Sequence, residues 1–515
     1  MATPSATLNA HTHPGAPAPV RFQRLRTIEA SSWAKLAFGA MCALALAGYF
    51  AFPTYPTYDS FYALLWGRDL LHLHLPDFRV YRAPTEHPLA LAFGAFCSIF
   101  GQGGARLMVL GSIASFVALV AGTYRLGRLC FGPVVGAFAG LLVLSRFFVE
   151  NLAAQGYLDI SYVALVVWAT ALEIERPRRG PLVFGLLAAA GLLRPDAWVL
   201  SGVYWVWMIW NPTHPVDTPT RLRYLALAAI APVLWVAVDA VVTGNPLYSL
   251  HSTSELAAEL GRTQGLSGVL SATWNYAVRI DKLPVVLGSI IGAAIGLWLT
   301  PRRMLVPLAV LGCLLFVFIA EGAAGASVVD RYMVGASIVM LVFCALAIGG
   351  WSMLEPGSAL RRVWIVGAAV LLLYGVASAA STLSLTSLRT TLADHENFHE
   401  GLAAALHNPA VKAQLQHCPL LSLPNNKLIP DARWILGSAG QSNIVARSQA
   451  SAQAAKKDYE LQNRINRGSV AVYPLGEAVF VDAIVDVGDD PRDQVPPSGY
   501  KRVYTSRYYA VYANC

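Results

Sequence analysis

Residues 55–101 read YPTYDSFYALLWGRDLLHLHLPDFRVYRAPTEHPLALAFGAFCSIFG, and how this stretch meets a lipid bilayer decides the rest of the reading. Up to Pro88 it is too polar to stay in hydrocarbon. It holds Asp59, Asp69, Asp77 and Glu86, three histidines (His72, His74, His87) and three arginines (Arg68, Arg79, Arg82). It follows directly on the first long apolar run, Leu36–Phe52. From Pro88 to Gly101 the chain is apolar again, but only for about 14 residues, where a membrane span needs about 20. On residue types alone, a reaction site at the membrane surface and a decorated loop without chemistry both fit.

Whether 88–101 crosses the bilayer fixes every later segment, and charge arbitrates. Arg21, Arg24, Arg26 and Lys35 precede the first apolar run, so that run reads as a signal-anchor with a cytoplasmic N-terminus. If 88–101 is interfacial, further spans fall near 107–124, 132–150, 158–174, 181–194, 196–211, 224–243, 284–300, 304–320, 332–350 and 363–380. The inner connections then hold Arg125 and Arg128; Arg176, Arg178 and Arg179; Arg221 and Arg223; Arg302 and Arg303; Arg361 and Arg362. Positive residues belong inside, so this arrangement is preferred. It predicts a polytopic α-helical membrane protein with about eleven transmembrane helices.

Composition agrees. Of 515 residues, 56% are hydrophobic and only 13% charged, with mean hydropathy +0.50; a soluble chain carries about 25% charged residues. The net charge of +8 is the cytoplasmic arginine surplus of a membrane protein, not a nucleic-acid footprint. The seven cysteines include no CxxC pair and no metal-ligand spacing. Three regions follow: a disordered cytoplasmic tail (1–30), a transmembrane domain (31–385) with a first external loop at 53–106, and an extracytoplasmic α/β domain (386–515). In the last, Arg389–Gln416 and Ser451–Ile465 read as helices, and Leu420–Leu423, Val470–Tyr473, Ala478–Val485 and Val503–Tyr512 as strands. Cys418 and Cys515 would sit in an oxidising compartment, where they could pair.

The outer face collects most of the acids, among them Asp59, Glu86 and Asp159, together with three isolated cations at span ends, Arg194, Lys282 and Arg331. Either each cation pairs with its neighbour Asp196, Asp281 or Asp330, or it serves a site. Asp159 reads equally as a helix N-terminal charge favoured by the dipole. The long outer loop 244–283 has the length of a lid. No internal repeat is visible, which speaks against a secondary transporter.

Several stretches resemble the GT-C superfold of polyprenyl-phosphate-sugar glycosyltransferases, the group of the protein O-mannosyltransferases and aminoarabinose transferases. YPTYDSFYALLWGRDLL places Asp59 where that family has the acid of its first external loop. PTEHPLALAFGAF (Glu86, His87, Pro88) is similar to its HPPL-type stretch. RLGRLCFG is similar to its cytoplasmic turn between spans two and three. QGYLD places Asp159 at a second acid, GLLRPDAW places Arg194 at a small basic turn, and DRYM places Arg331 at a late Arg-Tyr. The chain departs from the pattern at Ser60, Leu89 and the Arg-Pro-Asp turn, so neither sugar nor acceptor is carried over.

The resemblance implies a bacterial inner (plasma) membrane enzyme. It would transfer a sugar, with inversion, from a polyprenyl-phosphate donor to a glycan, lipid or protein acceptor outside. Asp59 would act as general base with Asp159 assisting. Arg194, Arg331 and Lys282 would hold the phosphate, and Tyr58, Glu86 and His87 would contact substrate. Burial by Tyr55, Tyr58, Phe61 and Trp66 is expected to raise Asp59 above the ordinary carboxylate pKa of about 4. No cofactor is certain; a divalent metal is possible, since some family members need one and others do not, and His72, His74 and His87 could form a metal site or serve structural roles. A lipid or sugar transporter and a non-catalytic envelope assembly protein are the competing classes.

Overall fold

A computed structural model of the chain describes residues 20–210, 216–263, 265–326, 328–380, 385–437, 443–475 and 495–515, with side chains from residue 32 onward. The first helix, Val20–Ala51, starts inside the expected 1–30 tail; residues 1–19 lie outside the described residues. Its apolar part, Ser32–Ala51, is long enough to span a bilayer.

Among the described residues, six helices are long and apolar enough to cross a membrane, or up to eight if two bent pairs each count as one span. This corrects the expectation of about eleven. One predicted span, 132–150, is a broken helix, Pro133–Leu144 with Phe147–Ala154, bent by 61°; the span expected at 284–300 is the Leu283–Leu299 helix, which meets Leu266–Asp281 of the expected outer loop at a 106° bend. Others are short. Pro181–Gly191 has 11 residues and Asp196–Ile209 has 14, less than a bilayer's thickness at about 1.5 Å per residue. The Leu158–Glu175 helix has 18 residues but carries Asp159, Glu173 and Glu175. Pro88–Ser98, read as non-spanning, is an 11-residue helix.

The Asp330–Met353 segment is the centre of the bundle, 94% of its span being buried inside the protein. Its opening 3-10 turn, Asp330–Met333, carries Arg331. The loop after the first apolar helix folds into the Tyr58–Leu71 helix, which crosses Pro88–Ser98 with no room for side chains at the contact. A Cβ on Gly67 would fall 2.2 Å from the Ala95 nitrogen, and one on Gly94 would fall 2.0 Å from the Ala63 oxygen. Only glycine permits that backbone approach. Asp59 is therefore set by a rigid two-helix unit, not by a free loop.

The C-terminal domain contains a five-stranded sheet in the order β2-β1-β3-β5-β4 (β1 Leu421–Leu423, β2 Ile444–Ala446, β3 Ser469–Pro474, β4 Lys501–Thr505, β5 Tyr509–Asn514). β1 pairs parallel with β2 and β3, and the later pairs are antiparallel. Helices Leu385–His407 and Ile429–Leu436 pack on it through Leu402, Leu406, Leu421, Ile429, Val470 and Val511. The expected helix 389–416 divides at Asn408, which caps a new helix beginning at Pro409. The expected 451–465 helix is two, Arg447–Ala455 and Glu460–Arg467, and the expected strand 503–512 is the β4–β5 hairpin. Residues 478–485 lie outside the described residues. A Cys418–Cys515 bridge joins β5's end to the residue after Pro409–His417, with Cα atoms 5.7 Å apart.

Candidate active site

Three helix N-termini, each with an acid in the first turn, supply the carboxylates of one cluster: Asp59 on Tyr58–Leu71, Asp159 on Leu158–Glu175 and Asp196 on Asp196–Ile209. Such acids are favoured by the positive ends of the helix dipoles. The first two termini are tied together. Thr57 N donates to the Gln155 carbonyl (3.0 Å) and Ser60 Oγ to the Gly156 carbonyl (2.7 Å), just ahead of the Asp159 helix. Thr57 also caps the Asp59 helix, its hydroxyl accepting from Ser60 N.

Two arginines knit the carboxylates. Arg331 Nη1 donates to Asp59 Oδ2 at 2.7 Å and lies 3.9 Å from Asp159 Oδ2. Arg194 donates to Asp159 Oδ1 (2.6 Å) through Nη1 and to Asp196 Oδ2 (2.7 Å) through Nε. Tyr332 lies under the Arg194 guanidinium at 3.9 Å, and Tyr157 is 5.1 Å from that of Arg331. Arg194, Asp159 and Asp196 are buried, whereas Asp59 and Arg331 keep about a fifth of their side chains exposed (21% and 23%).

The network lines a cavity of about 710 Å³, inside the usual range for small-molecule sites of about 300–1,000 Å³. The Tyr248–Glu259 helix of the 244–283 loop covers it with Ser249, Leu250, Thr253 and Leu256. Arg82 to Glu259 (2.9 Å) and Thr85 to Thr253 (2.7 Å) hold that helix over the loop after the first apolar helix. From the C-terminal domain come His395, Phe398, Asn426, Lys427 and Asp431. That domain is fixed by Arg68 over Trp434 (5.3 Å) and by Gln102 donating to the Trp434 carbonyl (3.0 Å).

Electrostatics at Asp59 run against the expectation. Burial pushes its carboxyl up, but the Arg331 charge and hydrogen bond, helped by His87 and Arg262, outweigh it and hold the pKa below the ordinary value. Burial pushes the His87 imidazole down to about 4, so it is neutral at pH 7. Among the described residues its Nδ1 has no hydrogen-bond partner.

Of the residues picked out in the sequence, Asp59, Arg194, Arg331, Tyr58 and His87 line the cavity, and Asp159 joins them through both arginines. Two do not line it. Lys282 stands at the 106° bend before Leu283, in a left-handed backbone conformation (φ 66°). Glu86 is buried, accepting from Ser249 Oγ (2.5 Å), which also bonds Asp239; burial beside Asp239 raises its pKa. Glu86 thus anchors the covering helix. The neighbour-pairing alternative holds for Arg194 with Asp196, but Arg331 passes over Asp330, whose carboxylate bonds Arg279 (3.0 Å). Sequence reasoning missed Arg262, Tyr332, Asn426 and Asp431 in the lining; Arg262 lies within the 244–283 loop read as a lid, and the C-terminal pair carried no motif.

No three His, Cys, Asp or Glu side chains among the described residues come together as metal ligands. His72 bonds the Arg68 carbonyl, away from His87. Arg331 and Arg194 already occupy the carboxylates of Asp59 and Asp159, so the arrangement does not fit a divalent metal and no step is derived through one.

A helical membrane bundle with a carboxylate–guanidinium cavity under a soluble sheet domain defines the class: an integral membrane protein resembling the GT-C polyprenyl-phosphate-dependent glycosyltransferases. The family model for dolichyl-phosphate-mannose-protein mannosyltransferases matches residues 86–238. In fold, the chain is similar to ArnT from Cupriavidus metallidurans bound to undecaprenyl phosphate (13% identity, TM-score 0.56, covering 94% of this chain and 98% of that one). The apo ArnT structure is similar too (14% identity, TM-score 0.52, 95% and 98% covered). So is the Archaeoglobus fulgidus oligosaccharyltransferase tethered to an acceptor peptide (12% identity, TM-score 0.52, 94% and 74% covered). No curated protein matches by sequence.

Proposed function

We propose that the chain is a membrane glycosyltransferase that moves a sugar from a polyprenyl-phosphate donor to an acceptor hydroxyl on the outer face, with inversion. The observation that carries this is the Asp59–Arg331 pair, 2.7 Å apart in a cavity it shares with Arg194 and His87. Undecaprenyl phosphate in the ArnT structure of the same fold supports the donor class. The competing transporter would need a route through the bundle with charges at mid-span; these charges sit at helix ends.

The paired resting state suggests how base strength is timed. While paired with Asp59, Arg331 neutralises it and makes it a poor base. A donor phosphate draws the Arg331 guanidinium, whose planar fork suits phosphate. Asp59 then keeps its burial but loses its counter-charge, and its pKa rises. It takes the proton of the acceptor hydroxyl as that oxygen attacks the anomeric carbon. The bond to phosphate breaks, and polyprenyl phosphate leaves with its charge held by Arg331. Arg194, satisfied by two carboxylates, orients Asp159 and does not itself bind phosphate; Arg262 and neutral His87 are further phosphate contacts.

The test is incubation of the protein in nanodiscs with polyprenyl-phosphate-linked hexoses and pentoses, following release of polyprenyl phosphate. Release from at least one donor is expected. Binding of undecaprenyl phosphate with no release from any donor, alone or with acceptor, contradicts the enzymatic reading.

A further inference from the structure

Among the described residues, a polar atom of the C-terminal domain beside the cavity lacks a hydrogen-bond partner, as His87 Nδ1 does. Asn426, in the Asn426–Leu428 turn of the C-terminal domain, is 7% exposed and lines the cavity. Its Oδ1 accepts no hydrogen bond among the described residues. The orientation of the amide follows from its neighbours. Tyr58 OH donates to the Arg82 carbonyl (2.9 Å), so its oxygen can only accept, and Asn426 Nδ2 donates to it at 3.3 Å. That leaves Oδ1 as the unsatisfied atom, anchored one residue from Asp59. A buried acceptor without a donor is costly, and a ligand O–H or N–H relieves it.

The same cavity is lined by an aromatic cluster of Tyr55, His395 and Phe398. The His395 ring stacks on Tyr55 (5.7 Å between centroids, 7° between planes), and Phe398 meets His395 edge-on at 6.2 Å. Asp431 fixes the cluster, its carboxylate taking the Tyr55 hydroxyl at 3.4 Å and His399 Nδ1. The C-terminal residues facing the cavity belong to helices and turns, not to a strand edge that could pair with an extended peptide.

We propose that the acceptor is a carbohydrate, its reacting sugar laid on the Tyr55–His395 pair with one hydroxyl donated to Asn426 Oδ1 beside Asp59. This rests on the reading of Asp59 as general base and assigns the C-terminal domain the acceptor subsite. Sugars present C–H faces to aromatic rings and hydroxyl donors to buried acceptors. A site built to bond a hydroxyl rejects ligands lacking it.

The experiment measures binding to the full-length protein in nanodiscs by saturation-transfer NMR. The probes are mannotriose, maltotriose and rhamnose trisaccharide, a Ser/Thr-containing hexapeptide and, separately, undecaprenyl phosphate. Wild type is expected to bind at least one trisaccharide and not the peptide. Asn426→Ala weakens that binding about tenfold or more, while Asn426→Gln, which keeps both the acceptor oxygen and the N–H donor, stays within about threefold. Both variants keep the wild-type melting temperature and undecaprenyl phosphate affinity. Trisaccharide binding unchanged in Asn426→Ala, binding of the peptide alone, or no trisaccharide bound by wild type overturns the proposal. Failure of undecaprenyl phosphate to bind wild type strikes the donor reading instead, and the sugar result is scored independently of it.

Discussion

Arg331 and Asp59 are 272 residues apart in the chain and 2.7 Å apart in space. The arginine opens the most buried helix of the bundle, and the acid opens the Tyr58–Leu71 helix. Because the same guanidinium stands 3.9 Å from Asp159, it senses both carboxylates. The proposed chemistry makes its transfer from carboxylate to phosphate the step that arms the base.

Replacing Arg331 by Ala therefore has two consequences. Turnover falls by about 10²–10³, the usual cost of removing a donor aimed at developing charge. Asp59 loses the charge that depresses it while keeping the burial that raises it, so the acid limb of kcat/KM moves to higher pH. Steady-state rates across pH 4–8 check this; a limb that stays in place or moves to lower pH contradicts it. Arg331→Lys rescues only partly, since lysine lacks the fork.

Under the proposed mechanism Arg194 is a structural cation. Arg194→Gln leaves Asp196 buried without its ion pair and Asp159 with only the 3.9 Å contact to Arg331, side chains 7% and 9% exposed. Loss of one partner from a buried ion pair costs about 3–5 kcal/mol. Denaturation in detergent is expected to reveal a loss of that order, with undecaprenyl phosphate affinity little changed in the protein that remains folded.

Gly94→Ala tests the scaffold under Asp59. Its Cβ would collide with the Ala63 carbonyl, pushing the Tyr58–Leu71 helix off Pro88–Ser98. Activity falls by about 10²-fold, as for misplacement of a catalytic group by about 1 Å. A mild Ala substitution at exposed Gly103, where a Cβ meets nothing, leaves it unchanged.

His399 couples the cavity roof to pH. Burial alone would lower its pKa, but the hydrogen bond and charge of Asp431 raise it above the ordinary value of 6.5. A histidine raised on folding stabilises fully below its unfolded pKa, and the contribution is lost as pH climbs through the folded value. The melting temperature should therefore decline above pH 6.5, and His399→Gln should flatten that decline. A melting temperature that rises over the same interval contradicts the pairing.

Much of this was legible in the chain and some was not, for physical reasons. Asp59, Asp159, Arg194 and Arg331 were visible because an acid or a lone cation at an outer span end has no orienting purpose there. The count of spans was overestimated because hydropathy windows register apolar length and not continuity. The bend between Leu144 and Phe147 falls inside one apolar run, whereas the break at Lys282 falls where the charged run Arg279–Lys282 already ended the expected loop. The depressed Asp59 pKa depends on Arg331, a contact no local pattern encodes. Asn426 and Asp431 reach the cavity through tertiary docking of Trp434 on Arg68, and nothing in their neighbourhood marks them.

The central claim is that Asp59 is the base. Asp59→Asn, in nanodiscs and supplied with the donors turned over by wild type, measures it most directly. Retained undecaprenyl phosphate binding with turnover reduced about 10²–10⁴-fold is the predicted result. Wild-type turnover by Asp59→Asn contradicts the mechanism.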